Sequence, residues 1–192
     1  MNNVVFSRLE SARIVLRPFR DADLPSFLAY RNDPEVAKYQ SWESLNKQEA
    51  HTFVQEQKTL QPGVPGRWFQ FAIQLKETGR LVGDCGLKVH PQDAQLAEVG
   101  FTLSRDYQSK GLASETVSSL LDYAFIHLGL HRTIAITDCR NAPCVALLER
   151  LGLRREGHFV QNVWFKGMWG DEYLYAVLRD EWLHKRDKQS HN

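Results

Sequence analysis

Residues 97–137 read AEVGFTLSRDYQSKGLASETVSSLLDYAFIHLGLHRTIAIT, and this stretch decides the fold. Its opening, Ala97 to Leu103, is a β-rich run, and its close, Thr133 to Thr137, is another. Between them Val117, Leu120, Leu121, Ala124, Phe125 and Leu128 fall at i, i+3, i+4, i+7, i+8 and i+11. That spacing draws one continuous apolar stripe along a helix, and Gly129 stops it. Strand, long helix, strand is a βαβ unit, so strands 97–103 and 133–137 are expected as parallel neighbours.

The loop that feeds the helix is Gln108-Ser109-Lys110-Gly111-Leu112-Ala113-Ser114-Glu115. Small residues at Gly111, Ala113 and Ser114 leave the backbone open to close approach. The first N–H groups of a helix are unpaired and carry partial positive charge, so this terminus suits a phosphate or pyrophosphate, with Lys110 adding a mobile cation. It is neither a P-loop, which needs GxxxxGK[ST], nor a GxGxxG dinucleotide fingerprint. Read alone it is also a plain helix start. The second strand ends in Asp138-Cys139-Arg140-Asn141, where Asn141 can cap the next helix and Cys144 falls in its first turn. Two helix starts beside two parallel strands point to a long ligand with phosphates at one end.

Outward from this unit the pattern changes. Upstream, Phe69, Phe71, Ile73 and Leu75 alternate with Trp68, Gln70, Ala72 and Gln74, the mark of a half-buried strand, and a turn at 76–79 returns the chain through Arg80 to Val89 as a hairpin. Ile14 to Arg17 is a short strand stopped by Pro18. Asp21, Asp33 and Asn46 each precede a helical pattern, and the cluster at 61–66 is a loop. Downstream come a helix over 142–151 and strands near 158–166 and 171–178. The fold class is mixed α/β, a mainly antiparallel meander with one parallel pair at its centre. The charged tail from 185 to 192 reads as disordered.

Composition bounds the function. The chain has 192 residues, 24 Lys+Arg, 23 Asp+Glu and a net charge of +1. That balance argues against a nucleic-acid partner, which needs a clear basic excess. Three cysteines without a CxxC spacing imply neither a disulfide framework nor a zinc site, so no metal is expected. No apolar run approaches a membrane span, and the start lacks a signal-peptide core, so a cytoplasmic protein without a membrane partner is expected. Trp42, Trp68, Trp164 and Trp169 are either walls of a cleft or core residues.

Gln108-x-x-Gly111-x-Ala113 after a strand resembles the acetyl-CoA pyrophosphate loop of the GCN5-related N-acetyltransferases, the GNAT superfamily. More specific are Arg13-Ile14-Val15-Leu16-Arg17-Pro18-Phe19, Asp33-Pro34-Glu35-Val36, Ala97-Glu98-Val99-Gly100-Phe101, Gly129-Leu130-His131-Arg132, Asn141-Ala142-Pro143-Cys144 and Leu151-Gly152-Leu153-Arg154-Arg155-Glu156-Gly157. Each is similar to the RimJ/RimL-type branch, in that branch's order.

The resemblance covers residues 8–183 and implies one domain with a GNAT fold, a six- to seven-stranded sheet with a splayed central parallel pair, flanked by helices. It implies acetyl-CoA as donor, an amine as acceptor, and a monomer or homodimer. By the same resemblance, backbone N–H groups of Gln108, Ser109, Lys110, Gly111, Leu112, Ala113 and Ser114 hold the pyrophosphate. Phe101, Thr102 and Leu103 pair with the pantetheine arm, and Asn141 contacts that arm or the thioester. The branch usually has Ser where this chain has Cys144.

Amine attack on a thioester needs a neutral amine, a donor for the oxyanion and a way to stabilise the thiolate. A backbone N–H near Leu103 is the expected oxyanion donor. Glu98 is the expected base, with Asp84 behind it; as a strand carboxylate Glu98 also reads as a solvated or ion-paired group. Cys144 is either the acid for the leaving thiolate or a small residue packed beside the sulfur. Direct transfer is expected over a covalent Cys144 intermediate, because no His is patterned as its base. The acceptor is expected to be a protein N-terminal α-amine. The alternatives are a small amine (an aminoglycoside, polyamine or amino acid) or acyl-CoA binding without turnover.

Overall fold

The computed structural model describes residues 5–190. One sheet of eight strands organises them: β1 (Leu9–Glu10), β2 (Ile14–Arg17), β3 (Trp68–Leu75), β4 (Leu81–Val89), β5 (Leu96–Leu103), β6 (Arg132–Asp138), β7 (Arg154–Phe165) and β8 (Met168–Leu178), in the spatial order β1-β2-β3-β4-β5-β6-β8-β7. All neighbours are antiparallel except β5 and β6. The expected parallel pair is present at the centre. The eighth strand is β1, two residues long and too short to show alternation.

Six helices cover the sheet. α1 (Leu24–Arg31), the single turn α2 (Pro34–Ala37) and α3 (Lys47–Thr59) pack on one face. α4 (Leu112–Asp122), α5 (Ala142–Arg150) and α6 (Arg179–Ser190) cover the other, where Leu120, Leu121, Phe125 and Leu148 meet Phe69, Phe71, Leu87 and Val99. β4 lies between both layers and is buried along almost its whole length. β3 keeps its alternation, with Phe69, Phe71 and Ile73 buried and Trp68, Gln70 and Gln74 half-buried; the exception is Ala72, which is sealed beneath α1 and α3.

Local chemistry sets the element ends. Asn46 accepts from Glu49 N while Glu49 accepts from Asn46 N, a reciprocal cap on α3. Asp33 caps α2. Asp21 does not cap α1; a single 3-10 turn intervenes, and Asp23 takes the Arg20 N–H and the Arg17 guanidinium instead. The α4 stripe continues through a π-turn at Tyr123–His127 before Gly129, which adopts φ +68°.

The tail is a correction. α6 is helical to Ser190, because Trp182 is buried with its indole N–H on Asp122 and Lys185 donates to the carbonyl of Arg150. Residues 191 and 192 of the expected disordered tail lie outside the described residues.

Candidate active site

The centre of the sheet is splayed. β5 and β6 pair only at Leu96 with Arg132, Ala97 with Thr133 and Glu98 with Ile134. β5 meanwhile stays paired with β4 out to Leu103, and Ser104 N donates to Val82 O at 2.9 Å. In an antiparallel ladder alternate residues bond across, so Ser104, Thr102, Gly100 and Glu98 serve β4. Phe101 and Leu103 therefore turn their N–H and C=O groups toward β6, where, among the described residues, no strand meets them. Gln108 Nε2 reaches the Leu103 carbonyl at 3.0 Å. The rest is a free edge for an extended ligand.

At the mouth of the splay stands the start of α4. Gly111 is its N-cap, with φ +77° and no side chain to satisfy the first N–H groups. A Cβ at Gly111 would meet the Arg13 guanidinium at 3.3 Å. Arg13 clamps the loop: its Nη1 donates to Lys110 O at 2.9 Å, and its N and Nε donate to Glu115 at 2.6 and 2.7 Å. Burial works to lift the Glu115 carboxyl, but these donors and Ser11 outweigh it and hold it below its ordinary value. Arg150, ending α5, donates to Ser114 Oγ at 2.8 Å and lines the same mouth.

The α1–α3 side of the splay carries the titratable groups. Register aligns Trp68, Lys88 and Glu98 across three strands, and Ala72, Asp84 and Thr102 four residues further along. Among the described residues the Glu98 side chain makes no hydrogen bond or ion pair. Burial lifts its carboxyl above the usual value; Lys88 opposes this and Glu172 on β8 adds to it. Burial likewise raises the Cys144 thiol, against a hydrogen bond with Thr137. Asn141 Oδ1 is taken by the cap on Cys144 N at 3.3 Å.

Asp84 is committed elsewhere. Arg31 Nη2 donates to both its oxygens, at 2.9 and 2.7 Å, and the Tyr30 hydroxyl donates to it as well. The Arg31 guanidinium lies 3.6 Å from the Trp42 ring centre, and its Nε is buried with no hydrogen-bond partner among the described residues. An unpaired buried donor costs on the order of 1–3 kcal/mol, so its position beside a cleft is informative.

These groups line one cleft of about 1170 Å³. It brings together Glu98, Phe101, Thr102, Leu103, Gln108, Ser109, Gly111, Ala113, Ser114, Asn141 and Cys144. The side chains of Lys110 and Leu112 are not in it: Lys110 lies over the Tyr107 ring and Leu112 packs into the core. Trp42 and Trp68 are walls, whereas Trp164 and Trp169 face each other, 61% and 55% exposed, on the β7–β8 hairpin. Arg140 is engaged by Asp138. Sequence reasoning missed Arg31, Arg150 and the Arg13–Glu115 clamp, since their partners lie far along the chain; only the Arg13 motif held a signal.

A family model described as an acetyltransferase (GNAT) domain matches residues 13–154. An uncharacterized N-acetyltransferase, p20, of Bacillus licheniformis is 33% identical over 175 residues, covering 91% of this chain and 97% of its own. The crystal structure of a GNAT-family acetyltransferase from Bacillus anthracis superposes with TM-score 0.80 at 29% identity, covering 91% and 99% of the two chains. Two neighbours of the same fold are coenzyme complexes. Spermidine N-acetyltransferase from Vibrio cholerae, with CoA and spermine, has TM-score 0.78 at 21% identity and covers 90% and 99%. Mycobacterium smegmatis RimJ, with CoA-disulfide, has TM-score 0.76 at 22% identity and covers 88% and 83%. The chain belongs to the GNAT family, and is an acetyl-CoA-dependent N-acetyltransferase.

Proposed function

We propose that this enzyme acetylates the α-amine at a protein N-terminus, by direct attack within a ternary complex, on a single domain spanning residues 8–183. The observation that carries the reading is the continuity of the cleft, from the amide-rich start of α4, along the free edge of β5, to Glu98. A thioester held along β5 meets an amine entering from the α1–α3 side, and no enzyme nucleophile is needed.

In this reading the N–H groups of Gln108 to Ser114 hold the pyrophosphate, and Phe101 to Leu103 run beside the pantetheine arm. Asn141, with its Oδ1 in the cap, offers its Nδ2 to that arm. Glu98 takes the ammonium proton through water, and the lift in its carboxyl improves it as a base. The nitrogen bonds to the thioester carbon and the Leu103 N–H receives the developing oxyanion; as the C–S bond breaks, the surplus proton on nitrogen passes through water to the leaving sulfur, giving the amide and CoA thiol. Cys144 then faces the departing thiolate. A thiol lifted by burial gives up its proton reluctantly, so its contribution is a hydrogen bond to that sulfur.

A likeness to the ribosomal N-acetyltransferase YdaF of Bacillus subtilis, 30% identical over 104 residues, supports a protein acceptor. A polyamine is the second reading, favoured by Glu35, Glu98 and Glu172 on one cleft and by the likeness to spermidine N-acetyltransferase. An acceptor screen reading CoA release separates them: N-terminal peptides are expected to turn over faster than spermidine, and the reverse order selects the polyamine. Intersecting initial-velocity lines are expected; parallel lines overturn direct attack.

A further inference from the structure

Arg31 has no task in that chemistry, yet it lines the cleft and is only 6% exposed. Its guanidinium is held by the two bonds from Nη2 to Asp84 and by stacking on Trp42, with the Phe27 ring centre 5.0 Å away. Asp84 also accepts from Tyr30, so that carboxylate is spent. Nε–H is left over. Among the described residues Nη1 makes no hydrogen bond either, so an arginine fixed on an aromatic ring presents its buried Nε–H and its Nη1 hydrogens to an oxygen acceptor. The wall beside it, residues 38–46, carries Trp42 and belongs to no helix or strand, and Lys38, Tyr39 and Trp42 line the same cleft.

We propose that Arg31 binds the acceptor: its Nε–H takes the carbonyl oxygen adjacent to the amine that is acetylated. The assignment rests on the transferase reading above and narrows its acceptor. Arg31 and Asp84 already neutralise each other, so a neutral carbonyl adds no uncompensated charge, whereas a carboxylate does. Glu35, Glu98 and Glu172 on the same cleft also repel a carboxylate. The chemistry that fits is an amine one carbon away from an amide carbonyl, as in the first residue of a peptide. Alkylamines and polyamines carry no such oxygen.

The test measures kcat/KM on four acceptors: Ala-Ala amide, alanine amide, free alanine and isopropylamine, which keeps the amine and lacks the oxygen. The two amides are expected about 30- to 100-fold above isopropylamine, the range of one charge-assisted hydrogen bond, with free alanine below both amides. Arg31→Lys keeps a cation for Asp84 but lacks the Nε donor. It should bring the amides to within about 3-fold of isopropylamine while the dissociation constant for acetyl-CoA is unchanged. The four-acceptor comparison uses the unmodified protein, so it stands even where the variant fails to fold.

Equal use of alanine amide and isopropylamine overturns the assignment and leaves the transferase reading intact. Free alanine ahead of the amides overturns the carbonyl in favour of a carboxylate, and a folded Arg31→Lys that keeps the full preference overturns the role of Arg31. If none of the four acceptors turns over, the α-amine reading falls, and this assignment with it.

Discussion

Two buried arginine–aspartate pairs sit on opposite sides of β3, and they differ in what they leave unsatisfied. Arg17, in β2, spends Nη1 and Nη2 on Asp23 at 2.7 and 2.8 Å, Nη1 also on the Pro18 carbonyl, and Nε on Gln74. Asp23 accepts the Arg20 N–H besides. Arg31 spends one nitrogen on Asp84 and leaves Nε unpaired beside the cleft. Desolvating a guanidinium is repaid only when its hydrogen bonds are complete. The closed pair is architecture, fixing β2 to the first turn of chain after it. The open pair tolerates an unmet donor where a ligand can meet it.

The largest expected effect tests the closed pair. Arg17→Ala strands Asp23 without its cation and should cost roughly 3–5 kcal/mol of stability. Replacing both partners, Arg17→Met with Asp23→Leu, should cost far less. Arg31→Ala removes two hydrogen bonds where Arg17→Ala removes four, and should destabilise less. Chemical denaturation measures all three; an Arg17→Ala cost under about 1 kcal/mol would erase the contrast.

Helix starts repeat the contrast. α3 is closed by the reciprocal Asn46–Glu49 cap, whereas α4 begins at Gly111 with no side-chain cap. Asn46→Ala should therefore cost about 1 kcal/mol of stability and leave acetyl-CoA affinity alone. Gly111→Glu puts bulk and negative charge at a helix start that no side chain caps, the phosphate site of the proposed function, at a φ of +77° that side chains resist. Acetyl-CoA affinity by calorimetry should weaken by about 100-fold or more. An unchanged constant would remove this loop from the site.

Glu98 is the open carboxylate, with Asp84 as its closed neighbour four residues along the register. Glu98→Gln should lower kcat/KM by about 100-fold. Burial raises the Glu98 pKa, so the protonated, inactive form takes over on the acid side, and activity falls as pH drops through that raised value. The variant should lose that acid limb. A wild-type limb that survives in Glu98→Gln assigns the base elsewhere.

What the sequence made legible follows the range of the interaction. The α4 stripe and the β3 alternation are written in neighbouring residues, and both elements formed where the period put them. The loop at 108–114 was legible because a helix start is a local feature. Asp84 looked like a spare base because its partner Arg31 lies 53 residues away, and no period connects an α1 terminus to β4. The tail failed for the same reason: its charges read as disorder, while Trp182 and Lys185 dock on Asp122 and Arg150, residues far back in the chain. Closed polar groups escape a sequence reading because closure is tertiary.

Cys144 gives the smallest expected effect. Its backbone N–H is closed by Asn141, while its thiol, raised by burial, packs against the core and shares a hydrogen bond with Thr137. A hydroxyl is a stronger donor than a thiol, so Cys144→Ser should hold or raise kcat by up to about 3-fold. Cys144→Ala removes the donor and should lower kcat by a similar factor, with acetyl-CoA affinity close to unchanged. Equal rates for Cys, Ser and Ala would class the thiol with the closed groups: a small side chain that fills space beside the sulfur and donates nothing to it.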